Sequence, residues 1–254
     1  MTTGSTHDVL GTEITMPVEI RRARCFVAAF TADATAVSAA IAAGAPDHRA
    51  RLTPRRIRPG RALCMLVFVD YVDGDLGPYN EFGVCFPVVE PTAAQATTHR
   101  PLASLLAGSA RALIHRLPVD GEFTLAAGRG IWGFPKILAD FDVDHDSPVK
   151  HGRVSADGRL IADLTVRPGL PMPSTAATTT LHAYSQLGGV LRETPWQLST
   201  ITGARTRPGG AHLELGTHEI AHELRALGLG RRALMTSSVR HLGMTFGDAV
   251  ERSE

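Results

Sequence analysis

Apolar residues fall along this chain in short runs, many of them alternating with polar residues, and turn-forming residues separate the runs. That pattern predicts strands more often than helices. Val18 to Phe30 reads as a strand with three arginines near its start. Asp33 to Ala43 is alanine-rich and predicts a helix, with Asp33 as N-cap, Gly44 past its end and Pro46 beyond. Arg61–Val72 and Tyr79–Glu90 predict two strands around the turn residues Asp73, Gly74 and Asp75, with Pro87 marking an edge or an end. Arg111–Val119 follows as a strand, and Asp120 is placed to cap a short helix through Ala127. Ile137–Asp144 alternates apolar and acidic residues. Asp157-Gly158 predicts a hairpin between Gly152–Ala156 and Arg159–Val166. Further strands are expected near Thr178–Tyr184, Trp196–Thr206, Ala211–Leu215 and Arg232–Met244, with a helix over His218–Leu227 ending at Gly228. Residues 1–17 are a polar lead-in expected to be loose, and 18–254 are expected to form one domain.

Many strands, few short helices, 25 glycines and 16 prolines predict a mainly β (α+β) fold, an antiparallel sheet or barrel. The chain has 254 residues, of which 44% are hydrophobic and 20% charged, so it can build a sizeable core. With 26 basic against 25 acidic residues, the balance argues against a nucleic-acid partner. The longest strictly apolar run, Ala62 to Val69, is too short for a membrane span, and the N-terminus shows no secretory pattern. Cys25, Cys64 and Cys85 are widely spaced, without a CxxC, and read as reduced core thiols of a cytoplasmic protein. The chain has no GxGxxG after a strand, no GxxxxGK[ST] and no GxSxG.

Two segments carry candidate chemistry. His218-Glu219-Ile220-Ala221-His222 matches HExxH, which on a helix can hold zinc between two histidines while the glutamate activates water. Its context favours a solvated helix face. Thr217 reads as the N-cap, which leaves His218 on the first helical residue. The extended metzincin pattern wants Gly at 225 and His at 228, and the chain has Arg225 and Gly228. A zinc hydrolase on His218, Glu219 and His222 stands as an alternative only, and no metal is expected.

The second segment runs Gly128-Arg129-Gly130-Ile131-Trp132-Gly133-Phe134-Pro135-Lys136-Ile137-Leu138-Ala139. A lysine here is ordinarily a surface turn residue. Yet Lys136 and Lys150 are the only lysines in a chain that otherwise uses arginine. Arginine stays protonated, whereas lysine shifts its pKa readily when buried. Trp132, Phe134, Ile137 and Leu138 make an apolar surround, which disfavours the ammonium and leaves free amine near neutral pH. A free amine can attack a ketone and form a Schiff base, an electron sink that requires no organic cofactor.

GRGIWGFPKILA resembles the lysine segment of the acetoacetate decarboxylase superfamily, and Gly77-Pro78-Tyr79-Asn80-Glu81-Phe82-Gly83-Val84 resembles its earlier Y-x-E segment. His218–Phe246 is similar to the family's C-terminal helix and strand, so the resemblance runs from about Val18 to Phe246. It implies an antiparallel β-cone or barrel with the lysine inside, in an oligomer of identical chains. It places Lys136 on the Schiff-base lysine, Glu81 on a carboxylate of the same pocket and Arg129 on the arginine before the lysine. Arg22 or Arg24 would stand for an N-terminal-strand arginine that holds a substrate carboxylate, with Arg24 the first choice. Tyr79 is a candidate hydrogen-bond donor to substrate, and Trp132 and Phe134 are candidate pocket walls.

The chain departs from the family in three places. Ile137 replaces a second lysine, Gly130 replaces a glutamate, and the carboxylate expected near Cys64–Leu66 is missing. The implied activity is therefore a Schiff-base-forming lyase on a small 2- or 3-oxo acid. It would work by decarboxylation or by aldol and dehydration chemistry, as in the aldolase–dehydratase branches of the superfamily. The alternative within the same fold is a non-catalytic small-molecule-binding barrel.

Overall fold

The computed structural model of the chain describes residues 4–45, 52–89, 110–174 and 178–252. Pro46 and Glu90, named above as a stop signal and a strand end, lie outside them. The strands are β1 Thr6–Val9, β2 Thr12–Thr15, β3 Val18–Asp33, β4 Thr53–Pro54, β5 Arg56–Arg58, β6 Arg61–Gly74, β7 Tyr79–Val89 and β8 Ala110–Val119. Then come β9 Lys136–Leu138, β10 Asp140–Asp144, β11 Lys150–Ala156, β12 Arg159–Val166, β13 Leu170–Pro171 and β14 Thr179–Ser185. The last are β15 Arg192–Thr202, β16 Arg205–Pro208, β17 Ala211–Leu215, β18 Met235–Phe246 and β19 Val250–Glu251. Helices α1 (Ala34–Gly44), α2 (Glu122–Trp132) and α3 (Glu219–Ala226) lie among them.

Strands β18, β3, β6, β7, β8, β14 and β15 are paired in that order, and β15 pairs back to β18, which closes a barrel of seven strands. Most pairings are antiparallel, as expected. The exceptions sit at β8, which runs parallel to both β14 and β9. A second sheet, β10-β11-β12-β17, is antiparallel throughout. The core divides accordingly. One apolar cluster draws side chains from all seven barrel strands, among them Met244, Ile20, Tyr71, Cys85, Leu117, Ala183 and Trp196, and fills the barrel interior. The other packs the outer wall, through Phe26, Phe68 and Phe82, against the second sheet, α1 and α3. The period-2 alternation of each strand supplies the two faces. Gly152 on β11 lies so close to that wall that a Cβ there would stand 2.8 Å from both Phe26 Cζ and Phe68 Cε1.

Several elements differ from the sequence expectation for identifiable reasons. The described part of the lead-in, residues 4–17, is not loose: β1 and β2 form a hairpin whose Val9 and Ile14 are buried in the interior cluster. Asp33 caps α1 as expected, accepting from Thr35 and Ala36 at 2.9 Å. The run 137–144 is two strands because β9 pairs with β8 in the barrel, up to the Ala139 amide on the Val119 carbonyl at 2.8 Å, whereas β10 pairs with β11 in the second sheet. The run 196–206 breaks at Gly203, whose φ of 64° turns the chain between β15 and β16. Cys25, Cys64 and Cys85 are buried free thiols, and burial pushes Cys25 and Cys85 up to about 12. No helix among the described residues is long and apolar enough to cross a membrane.

The contact at Gly152 yields a stability prediction. Gly152→Val is expected to destabilise by about 1–3 kcal/mol, since overpacking forces side chains off their rotamers. Adding Phe68→Leu should recover part of that loss in denaturant titrations. A Gly152→Val protein as stable as wild type would show that the second sheet does not seat this closely on the barrel.

Candidate active site

The lysine segment folds around its glycines. Helix α2 was expected to stop at Ala127, because Gly128 and Gly130 disfavour helix interiors. It continues to Trp132. Gly128 is needed there as empty space. A Cβ on it would lie 2.5 Å from Lys136 Cδ and 2.6 Å from Cε. Gly133 ends the helix in the left-handed region at φ 62°, and the Phe134 amide returns to the Gly128 carbonyl at 2.9 Å. The chain reverses through Pro135, and β9 then runs beside β8 with Lys136 opposite Leu117. The lysine side chain thus lies across the helix it has just left and points into the barrel. Asp120 is not the cap of α2, which is Gly121. Its carboxylate instead accepts from the Asn80 amide and side chain, both at 2.8 Å, tying the end of β8 to the start of β7.

Lys136 is 3% exposed and Glu81 5%. Nζ lies 3.1 Å from Glu81 Oε2 and donates to Thr124 Oγ1 at 2.8 Å. It also sits 4.9 Å from the centre of the Tyr79 ring, within range of a cation–π contact. Tyr71 donates to the other Glu81 oxygen at 3.1 Å. Tyr71 and Tyr79 face each other across the β6–β7 register and stack at 4.3 Å. Tyr71, Glu81, Lys136 and Thr124 therefore form a chain of polar contacts inside an apolar barrel, with the Tyr79 ring beside Nζ. Burial lowers the Lys136 pKa from its ordinary value, and Glu81 opposes that shift. Both tyrosines are pushed well above their usual value, by burial first and by Glu81 next, so they act as neutral hydroxyls.

Tyr71, Tyr79, Glu81, Leu117, Trp132, Phe134, Lys136, Trp196 and Phe246 line a cavity with about 10 Å³ of free room, space for about one water. Trp132 Nε1 is spent on the Gly247 carbonyl at 2.8 Å. Trp196 Nε1 is buried without a hydrogen-bond partner.

Of the residues singled out from the sequence, Lys136, Glu81, Tyr79, Trp132 and Phe134 come together here. Tyr79 offers its ring face to Nζ, in place of the hydroxyl expected to meet substrate. Arg24 and Arg129 do not join them. Arg24 points from the opposite face of β3, between Asp70 at 2.7 Å and Asp146 at 2.6 Å. Arg22 is exposed. Arg129 is exposed on α2, with Nη1 3.5 Å from the Lys136 carbonyl. Ile137 packs on the outer cluster, away from the cavity. The HExxH segment makes no shared histidine face. His218 is the N-cap of α3, and its Nδ1 accepts from the Ile220 amide at 3.2 Å. His222 is exposed, and no metal-binding group of three occurs among the described residues.

Thr124, Tyr71, Trp196 and Phe246 were not singled out from the sequence. Two of them left a trace there. Thr124 and Gly128 are spaced i, i+4, so one helix face carries the hydroxyl and the gap through which Lys136 reaches it. The Asp73–Pro78 turn sets the register that places Tyr71 opposite Tyr79.

The family model for acetoacetate decarboxylase matches residues 15–253. No curated protein matches by sequence. Among solved structures, acetoacetate decarboxylase of Legionella pneumophila is 20% identical, with 93% of this chain and 87% of that chain covered and a TM-score of 0.65. An acetoacetate decarboxylase-like enzyme of Sphingomonas wittichii is 14% identical, with 99% of each chain covered and a TM-score of 0.60. The enduracididine biosynthesis enzyme MppR, complexed with pyruvate, is 14% identical, with 94% and 92% covered and a TM-score of 0.59. The barrel, the lysine segment and the span of the family match agree: the chain belongs to the acetoacetate decarboxylase family.

Proposed function

We propose that this chain is a Schiff-base-forming lyase acting on a small oxo acid, with Lys136 as nucleophile and Glu81 as acid/base. The observation that carries the reading is the buried Nζ of Lys136, 3.1 Å from a buried carboxylate in a cavity walled by aromatic rings. Desolvation keeps a fraction of the amine neutral, and only the neutral amine has a lone pair to give.

In this reading Nζ attacks the ketone carbon and a C–N bond forms. The carbonyl oxygen leaves as water, taking one proton from the amine and one delivered by Glu81. The resulting iminium accepts the electron pair of the next bond to break. In a 3-oxo acid that bond joins the carboxylate, and CO₂ leaves. In a 2-oxo acid with a methyl group it is a C–H bond, whose proton passes to Glu81, and the enamine then attacks an aldehyde. A neighbouring structure that holds the condensation product of pyruvate and an aldehyde supports keeping the second route. Arg24 and Arg129 sit elsewhere, so the unspent indole N–H of Trp196 is the donor proposed for the substrate's anionic end. The free room of about 10 Å³ means that the aromatic wall has to shift to admit any substrate.

Two outcomes follow. Borohydride reduction with acetoacetate or pyruvate is expected to leave a mass adduct on Lys136, read by peptide mapping and lost in Lys136→Ala. The trapping rate should fall as pH drops through the lowered lysine pKa, because protonation removes the lone pair. Absence of an adduct with either ketone would instead support the non-catalytic binding barrel.

Gly128→Ala provides the second check. Its Cβ would displace the flexible end of Lys136 rather than backbone. Thermal stability should fall somewhat, because the displaced lysine leaves the buried Glu81 and Thr124 without their partner, a loss larger than the helix propensity that alanine adds. Trapping should fall about 100-fold, the scale of an ångström misplacement. Unchanged trapping in this variant would contradict the placement of the lysine over Gly128.

A further inference from the structure

We propose that Thr124 is the positioning residue of this site, the group that aims the lone pair of Lys136. The inference rests on the imine chemistry proposed above and adds a residue that the family resemblance did not supply.

The contact of Nζ with Thr124 Oγ1, at 2.8 Å, is shorter than its contact with Glu81, at 3.1 Å. Thr124 is 2% exposed and stands in the first turn of α2. A helical threonine commonly turns its hydroxyl back to a carbonyl of the preceding turn. Here it accepts from Lys136 Nζ instead. Two glycines keep it there. A Cβ on Gly121 would lie 3.0 Å from Thr124 Cγ2, and one on Gly128 would strike the lysine that the hydroxyl holds. Gly128 is a poor helix former held inside the helix, while Gly121 sits at the N-cap, where glycine is tolerated.

The geometry explains the use. A neutral amine has four tetrahedral directions: Cε, two N–H bonds and the lone pair. One hydrogen bond to Glu81 fixes a single direction and leaves the second N–H and the lone pair free to exchange the remaining two. A second bond, to Thr124, fixes the other N–H, and the lone pair then has one direction left. Lys136 lines the cavity, so that direction is where a carbonyl carbon has to sit. The titratable groups that face Nζ are Glu81 and Tyr79, with Tyr71 reached through Glu81. Each also has a partner other than the lysine. Thr124 does not titrate, and it orients the amine without adding charge.

Removing the hydroxyl therefore lowers two readouts whose effects on the rate at neutral pH oppose each other. The ammonium donates a stronger hydrogen bond than the amine does. Thr124→Val strips an acceptor from the charged form and lowers the pH midpoint of trapping. That leaves more free amine at neutral pH, which alone would speed the reaction. The plateau rate at high pH, where all the amine is free, should nonetheless drop by about tenfold or more, because the lone pair is no longer aimed. Thr124→Ser keeps the hydroxyl and should restore both midpoint and plateau.

The experiment is the pH profile of borohydride trapping for wild type, Thr124→Val and Thr124→Ser, normalised to folded protein. Thr124→Ala is compared with Thr124→Ser if the valine variant folds poorly. A lowered midpoint with a lowered plateau, both rescued by serine, is the expected result. A plateau within about twofold of wild type in the variant lacking the hydroxyl overturns the positioning role while leaving the imine reading intact. A wild type that traps neither ketone overturns the imine reading, and the role of Thr124 falls with it.

Discussion

The structure turns on one costly arrangement, an amine and a carboxylate held together inside an apolar barrel. Taking either charge out of water costs several kcal/mol, and their attraction recovers that only when geometry and further hydrogen bonds are good. Here the further partners are present: Tyr71 on one Glu81 oxygen, Lys136 on the other, and Thr124 on Nζ. The protonation balance has a sign. A lysine with its pKa lowered in the folded state binds fewer protons than in the unfolded chain between the two pKa values. Stability therefore rises with pH through that window. At neutral pH the buried lysine subtracts from stability, a loss that the rest of the fold offsets.

Much of the local architecture serves that placement. The barrel supplies an interior that all seven strands line, and the stacked tyrosines floor it. Gly128 leaves a channel across α2, Gly133 turns the chain back, and β9 docks the lysine beside Leu117. Around the mouth, Trp132, Phe134, Trp196 and Phe246 contact one another ring to ring. They exclude water, which sustains the desolvation, and they also close the cavity. The terminal segments meet nearby: Gly247 accepts from Trp132, and Asp248 holds Ser5 and His7 of the first hairpin. One set of contacts thus keeps the amine dry and stands in the way of a substrate.

The longer strands were largely legible because they are alternating or continuously apolar runs that end at turn residues. The α2 boundary was not, because local propensity says stop at Gly128 while tertiary packing against Lys136 says continue. The β1–β2 hairpin was hidden for a related reason: its polar sequence gains burial only against the barrel it lands on. Lys136 and Glu81 stood out through rarity, an apolar surround and resemblance. The face of Arg24 was not legible because strand parity is erased by bulges. The β3–β6 register shifts twice between Ile20 and Ala23, so the face that Arg24 takes is not fixed by counting. Tyr71 and Thr124 needed a register and a helix face before they could be seen as neighbours of the lysine.

The most direct test reads the amine itself. The chain has only two lysines, Lys136 and Lys150, so lysine labelled at Nζ gives two side-chain signals, assigned through Lys136→Met. Their pH titration by NMR measures the Lys136 pKa without any substrate. The account predicts a midpoint for Lys136 clearly below the ordinary lysine value of about 10.4. It also predicts a rise toward that value when Trp196→Ala opens the aromatic wall to water. A Lys136 midpoint at or above the ordinary value would contradict it, because the ion pair would then dominate desolvation and no free amine would be available near neutral pH.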